Sequence, residues 1–230
     1  MKPVAIVFDL FGTLLDIASL QTAAARFTSD ATALLATWRE KQLAYAFAAT
    51  IMNRYEDFDA LTARALWYAA ARHGLRADDR DWEALAGEWQ RLVPFDDVLP
   101  ALAQVRERGL RCAVLTNGTL ATARAALEFS GLIDAIDVTL SVDAVGVYKP
   151  AVPVYELATK HMAASADQLI FVTSNGWDAT GAGEFGLSVV WCNRAHAPAE
   201  TFGRAPASTI RSLHELALVL DERDFGRGER

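Results

Sequence analysis

The segment Val4-Ala5-Ile6-Val7-Phe8-Asp9-Leu10-Phe11-Gly12-Thr13-Leu14 carries one carboxylate from the end of an apolar run into a glycine turn. Val4 to Phe8 reads as a strand apolar on both faces, as in the middle of a parallel sheet. Ligands of such sheets bind beyond the carboxyl ends of the strands, and Asp9 falls there. A carboxylate in that place is able to attack an electrophilic carbon or phosphorus and form a covalent intermediate. It is also able simply to cap the turn that follows, since Asp is common in turns. This segment alone leaves both readings open.

Three later segments place polar residues at or just beyond the ends of apolar runs: Leu115-Thr116-Asn117-Gly118-Thr119, Val147-Tyr148-Lys149-Pro150 and Phe171-Val172-Thr173-Ser174-Asn175-Gly176-Trp177-Asp178. Thr-Asn-Gly on its own is ordinary turn chemistry. Four such segments in order along one α/β chain predict a common site at one sheet edge. His73, His161, His196 and His214 lie outside all of them, so histidine catalysis has no support.

The elements that must position these residues are readable from periodicity. From Asp96 onward, helical and strand-like stretches alternate, with strands at Arg111–Leu115, Val138–Ser141, Leu169–Thr173 and Ser188–Cys192. Helices are expected at Val98–Arg108, Ala121–Ser130, Pro153–Met162 and Ser212–Asp221. Residues 17–95 instead read as helical throughout. One helix covers Ala31 to Thr50, a second is capped by Thr62 and runs to His73, and a third is capped by Asp81 with the stripe Trp82, Leu85, Trp89 and Leu92. The pattern predicts an α/β fold: a doubly wound, mainly parallel Rossmann-like sheet with an inserted all-helical cap. The core is expected over residues 1–16 and 96–230 and the cap over 17–95, with the site between them.

The chain has 230 residues, 52% of them hydrophobic, enough to bury a large core in one domain or two closely associated ones. A net charge of −7 argues against nucleic acid and means that an anionic substrate needs local cations. No apolar run is long enough to span a bilayer, and no signal-peptide pattern opens the chain, so no membrane association and a cytoplasmic location are expected. Cys112 and Cys192 sit in strand-like runs as buried thiols and make no disulfide framework.

Taken together, these motifs resemble the haloacid dehalogenase superfamily, and more closely its L-2-haloacid dehalogenases, over nearly the whole chain. The nucleophile motif looks like Asp9-Leu10-Phe11-Gly12-Thr13, the hydroxyl-bearing motif like Thr116-Asn117-Gly118, the lysine like Lys149 and the last motif like Thr173 to Asp178. Trp38-Arg39-Glu40-Lys41-Gln42-Leu43 and Met52-Asn53-Arg54-Tyr55 are similar to cap segments of the narrower family, as are Ser141-Val142-Asp143 and the run from Trp177 to Ala182.

The resemblance implies attack by Asp9 on C2 of a 2-haloalkanoate, followed by water attack on the Asp9 carbonyl carbon. Lys149 would keep Asp9 charged and placed. Asp178 would handle the water, with Asn175 and Thr173 orienting it and Thr13 completing the nucleophile loop. Thr116, Asn117 and the Leu10–Phe11 turn would hold the substrate carboxylate. Arg39 and Asn117 would face the halide, Phe58 and Trp177 would wall the pocket, and Tyr155 and Ser174 would line the site. Homodimers are common in the family.

Superfamily phosphatases carry a second Asp where this chain has Phe11 and an acidic metal ligand where it has Ser174. Both departures favour a metal-free, cofactor-free reaction whose leaving group needs no proton, because halide leaves unprotonated. A Mg²⁺-dependent phosphatase and a non-catalytic binding or regulatory protein remain the alternatives. Bare arginines on cap helices usually lie at the surface, paired with neighbours such as Glu40, and aromatics such as Phe58 and Trp177 usually fill cores.

Overall fold

Strand β1 (Ala5–Phe8) is buried along its whole length, which its unbroken apolar sequence permits. The structure, a computed structural model, describes residues 2–225. Beside β1 lie β4 (Arg111–Thr116) and β6 (Leu169–Thr173), both parallel to it. Outside them run β5 (Val138–Ser141) on one side and β7 (Ser188–Cys192) and β8 (Ser208–Ile210) on the other, all parallel.

The two-residue side-chain period sorts each strand between the two faces. Ile6, Phe8, Val114 and Val172 pack with α5 (Val98–Glu107), α6 (Leu120–Phe129) and α9 (Leu216–Phe225). Val7, Leu115 and Phe171 pack on the other face with α7 (Val152–Met162) and α8 (Gly176–Phe185).

A second, two-stranded antiparallel sheet joins β2 (Leu15–Asp16) to β3 (Val93–Pro94). Between those strands the chain makes α1 (Gln21–Ala24), α2 (Ala31–Ile51), α3 (Phe58–Arg72) and α4 (Asp79–Gly87). Aspartates start the three longer helices: Asp30, Asp57 and Asp78 each accept the N–H three residues on. Such a cap contributes about 1 kcal/mol.

Two expected helix starts are therefore corrected. Thr62 lies inside α3, buried, with its hydroxyl bonded back to the Phe58 carbonyl. Asp81 lies in the first turn of α4 rather than before it, because Asp78 takes the cap. Trp89 and Leu92 remain buried although α4 stops at Gly87 and the chain continues as a 3₁₀ turn over Glu88–Arg91. At the other end, Ser212 opens a short 3₁₀ turn, and α9 begins only at Leu216.

The helical insertion is hydrogen-bonded to the core. Asp59 of α3 accepts from the hydroxyls of Thr119 and Thr122 at the start of α6, and Tyr55 donates to Asp143. Tyr148 donates to the Glu56 carbonyl.

Candidate active site

The backbone of Asp9 is still in the sheet, its N–H donating to the Val172 carbonyl at 2.9 Å, while its side chain lies beyond the strand end. The turn after it closes on the Leu10 carbonyl, which accepts from the N–H groups of Thr13, Leu14 and Leu15. Gly12 takes a φ of +87°, open to glycine at no steric cost. The turn brings the Thr13 hydroxyl back to donate to Asp9 Oδ2 at 2.9 Å, and the same oxygen of Thr13 accepts the Ser174 N–H. Among the described residues no backbone N–H donates to the Asp9 carboxylate, so the turn-capping alternative is not the one realised.

The other donors to Asp9 come from the connections that follow β6 and β5. Asn175 Nδ2 lies 2.8 Å from Oδ2, and Lys149 Nζ lies 3.0 Å from Oδ1. Lys149 is 1% exposed and donates equally to Asp178 Oδ2, also at 3.0 Å. Tyr155 completes the group by donating to Asp178 Oδ1 at 2.7 Å. Thr173 sits one bond further out, its Oγ1 accepting the Asn175 N–H and so setting the loop that carries Asn175.

This packing decides the charges. Burial pushes the Asp178 carboxyl above the usual carboxylate range, a push that Lys149 opposes and Asp9 reinforces. Burial works against the Lys149 ammonium, yet Asp178 and Asp9 outweigh it and hold the amine above its ordinary value. Burial and the neighbouring carboxylates raise Tyr155 well above a free phenol, so it remains a proton donor.

The second strand end contributes donors. Asn117 Oδ1 accepts the Lys149 N–H at 2.9 Å, so its amino group faces the other way, and Nδ2 is buried without a partner among the described residues. Thr116 Oγ1 accepts the Gly118 N–H. No hydrogen bond among the described residues engages the N–H groups of Leu10, Phe11 or Asn117. Phe11 packs edge-on against Trp89 and over Gly118, where an added Cβ would lie 2.6 Å from its ring.

The remaining expected residues are placed less directly. Arg39 makes no ion pair among the described residues; it donates to Gln42 and lies over the Trp89 ring. Its charge nonetheless interacts with Asp9 and Asp178. Burial pulls the guanidinium down to about 10 against their opposing effect, leaving it charged at neutral pH. Trp177 is half-buried and meets Phe47 of α2 edge-on, across the seam between insertion and core. Phe58 is buried against Tyr148, next to Lys149 in sequence. Leu10 directs its side chain into the core. Ser174 offers Asp9 nothing directly: its hydroxyl is buried beside Cys192 and its backbone holds Thr13 and Trp191.

Three residues with clear places near the site were given no role in it by the sequence reading. Gln42 holds Arg39, Trp89 supports both Arg39 and Phe11, and Arg194 donates to the Thr13 carbonyl while paired with Asp97. Gln42 left a trace in the sequence, as a polar residue on the buried stripe Leu34, Leu35, Trp38, Ala46 of α2. Arg194 sits just past the end of β7, a fifth strand end.

The divalent ion used by superfamily phosphatases does not fit these donors. The Lys149 ammonium already bridges Asp9 and Asp178 at hydrogen-bond distance, and Ser174 brings a neutral hydroxyl rather than a carboxylate.

Comparison with known proteins identifies the family. The haloacid dehalogenase-like hydrolase model matches residues 4–186. An (S)-2-haloacid dehalogenase of Pseudomonas sp. (strain YL) is 38% identical over 98% of this chain and 97% of its own length. Haloacetate dehalogenase H-2 of Moraxella sp. (strain B) is 36% identical over 94% and 97%. The L-2-haloacid dehalogenase of Xanthobacter autotrophicus, solved with chloropropionic acid covalently bound, superposes with a TM-score of 0.90 at 31% identity, covering 96% of this chain and 99% of that one. The chain belongs to the haloacid dehalogenase-like hydrolases, within the L-2-haloacid dehalogenase family.

Proposed function

We propose that the protein hydrolyses short-chain L-2-haloalkanoic acids to D-2-hydroxy acids through an ester on Asp9. The observation that carries this reading is the Lys149 ammonium held between Asp9 and Asp178, in a site with apolar Phe11 in place of a second acid. Such a site holds a carboxylate nucleophile in place without a metal, and it suits a leaving group that departs unprotonated.

In the first step Asp9 attacks C2 from the side opposite the halogen. The C2–oxygen bond forms as the carbon–halogen bond breaks, the halide leaves with the bonding pair, and C2 inverts. Oδ1, which carries one hydrogen bond against two on Oδ2, is the freer oxygen for this attack. Oδ2 then becomes the ester carbonyl oxygen, with Thr13 and Asn175 already donating to it. Donors in place before charge develops are the most effective kind.

In the second step Asp178 takes a proton from water as the water oxygen attacks the Asp9 carbonyl carbon. The tetrahedral intermediate expels the hydroxy acid, and the proton held by Asp178 goes to the departing alkoxide. The second proton of the water, left on the Asp9 carboxyl, passes to solvent to restore the carboxylate and balance the halide. Burial makes Asp178 a stronger base than an exposed carboxylate. The free N–H groups of Leu10, Phe11 and Asn117, with the Thr116 hydroxyl, receive the substrate carboxylate. Arg39 and Asn117 Nδ2 receive the halide, and Phe58 and Trp177 wall the pocket.

The same reading divides the chain into a core of residues 1–16 and 96–230 and a cap of 17–95, the β2–β3 pair supporting the division. No described helix is long and apolar enough to cross a membrane. We assign the protein to the cytoplasm as a homodimer, supported by exposed Ile51, Met52, Trp67 and Tyr68 on the cap; light scattering on the purified protein tests the dimer.

Halide release from a panel of 2-haloacids, run beside phosphate release from small organic phosphates with and without Mg²⁺, tests the activity. Halide from L- but not D-2-chloropropionate is expected, undiminished by chelator. Mg²⁺-dependent phosphate release without halide release would overturn the reading.

A further inference from the structure

Gln42 is fully buried, one turn beyond Arg39 on α2 and on the same face. A buried amide needs partners at both ends, and the surrounding bonds dictate which end goes where. The Thr62 hydroxyl gives its proton to the Phe58 carbonyl at 2.7 Å, so towards Gln42 it only accepts. The amide N–H₂ therefore faces Thr62, and Oε1 faces Arg39 Nη1 at 2.7 Å. Trp38 fixes the same turn of α3 by donating to the Thr62 carbonyl. A directional relay thus runs from the guanidinium through Gln42 and Thr62 to the backbone of α3.

The partner's neutrality matters as much as its position. Glutamate at 42 would satisfy the same geometry but neutralise Arg39. With glutamine the guanidinium is held by a neutral acceptor and an indole face, and no carboxylate is paired with it among the described residues. We infer that Gln42, itself oriented by Thr62, is a positioning residue that aims Arg39 at the departing halide while leaving its charge free for that anion. The inference rests on the dehalogenase reading and goes beyond it by assigning the cation's support.

The test compares wild type with Gln42→Glu, Gln42→Met, Thr62→Val and Thr62→Ser, using L-2-chloropropionate and L-2-bromopropionate. Chloride is the poorer leaving group and depends more on donors at the departing atom. Gln42→Glu and Gln42→Met are expected to lower kcat about 30-fold or more with the chloro substrate, less with the bromo substrate, and to move KM little. Thr62→Val should do the same in smaller measure, and Thr62→Ser should restore the wild-type ratio. A role confined to core packing predicts equal losses with both substrates, tracking thermal stability, and that result would overturn the inference.

Bromide binding, followed by quenching of tryptophan fluorescence, keeps the test independent of turnover. Gln42→Glu is expected to weaken it at least about tenfold, as loss of a free cation requires. Unchanged bromide affinity in that variant, or no bromide binding by the wild type, overturns the inference. Failure of the wild type to release halide, with bromide binding intact and Gln42-dependent, would instead overturn only the dehalogenase reading.

Discussion

Lys149 Nζ lies 3.0 Å from Asp9 Oδ1, although 140 residues separate the two along the chain. Asp178 sits on the other side of the same ammonium, so the lysine keeps two buried carboxylates from facing each other unpaired. Lys149→Met is expected to abolish turnover and to destabilise the fold by about 3 kcal/mol, the usual cost of stranding a buried charge. Urea denaturation checks the second part. Lys149→Arg should restore little activity, since a planar fork does not fill a site built around one nitrogen. Wild-type stability in Lys149→Met would show that the three charges are not coupled.

The pH profile should report on Asp178. The acid limb of kcat is expected above the ordinary carboxylate range, because burial raises this group and the reaction needs it ionised. Tyr155 donates to the ionised form and so lowers the value; Tyr155→Phe removes that donor and should move the acid limb to higher pH. For folding the direction is the reverse of that for activity. A carboxyl raised in the folded state favours folding most at low pH, and that contribution fades as pH rises through the raised value. An acid limb that stays in place in Tyr155→Phe would remove Asp178 from the role of base.

Arg39 and Arg54 both belong to cap segments similar to the family's, but the structure separates them. Arg39 interacts with Asp9 and Asp178, whereas Arg54 is exposed. Arg39→Ala is expected to lower kcat/KM by about two orders of magnitude, equivalent to about 3 kcal/mol of transition-state stabilisation. Arg54→Ala should leave steady-state kinetics near wild type. Equal, small effects from both would make Arg39 an ordinary surface arginine.

What could be read from the chain follows the range of the forces involved. Asp9, Lys149, Asn175 and Asp178 were legible because a parallel sheet places its strand ends along one edge, and four polar segments in order point there. Helix starts were less legible: Thr62 and Asp57 are both able to cap, and only packing against Trp38 and Gln42 shows Thr62 inside α3. Gln42 and Arg194 were missed because the contacts that orient them, Thr62 for the first and Asp97 and Thr13 for the second, are distant in sequence. Arg194 meets Asp97 and Thr13 only once β7 is in place, and no periodicity announces that. For Ser174 the sequence indicated the loop, but only backbone geometry decides that its N–H meets the Thr13 hydroxyl oxygen.

The most direct test of Asp9 follows an oxygen atom. If the ester is cleaved at the Asp9 carbonyl carbon, one carboxylate oxygen leaves in the hydroxy acid and a solvent oxygen replaces it in the enzyme. A single turnover in H₂¹⁸O with enzyme in excess should leave the product unlabelled and place ¹⁸O in the peptide containing Asp9, read by mass spectrometry. Water attacking C2 directly, with Asp9 as a general base, predicts the opposite distribution. Asp9→Asn should lose nearly all activity by either route, because an amide is neither a competent nucleophile nor a base. The label therefore decides what the substitution does not. The geometry already leans one way: Oδ2 of Asp9 holds Thr13 and Asn175 as donors where a tetrahedral oxyanion would form, an arrangement a simple base does not need. Label in the product alone would remove the covalent step and leave those two donors without a mechanistic reason.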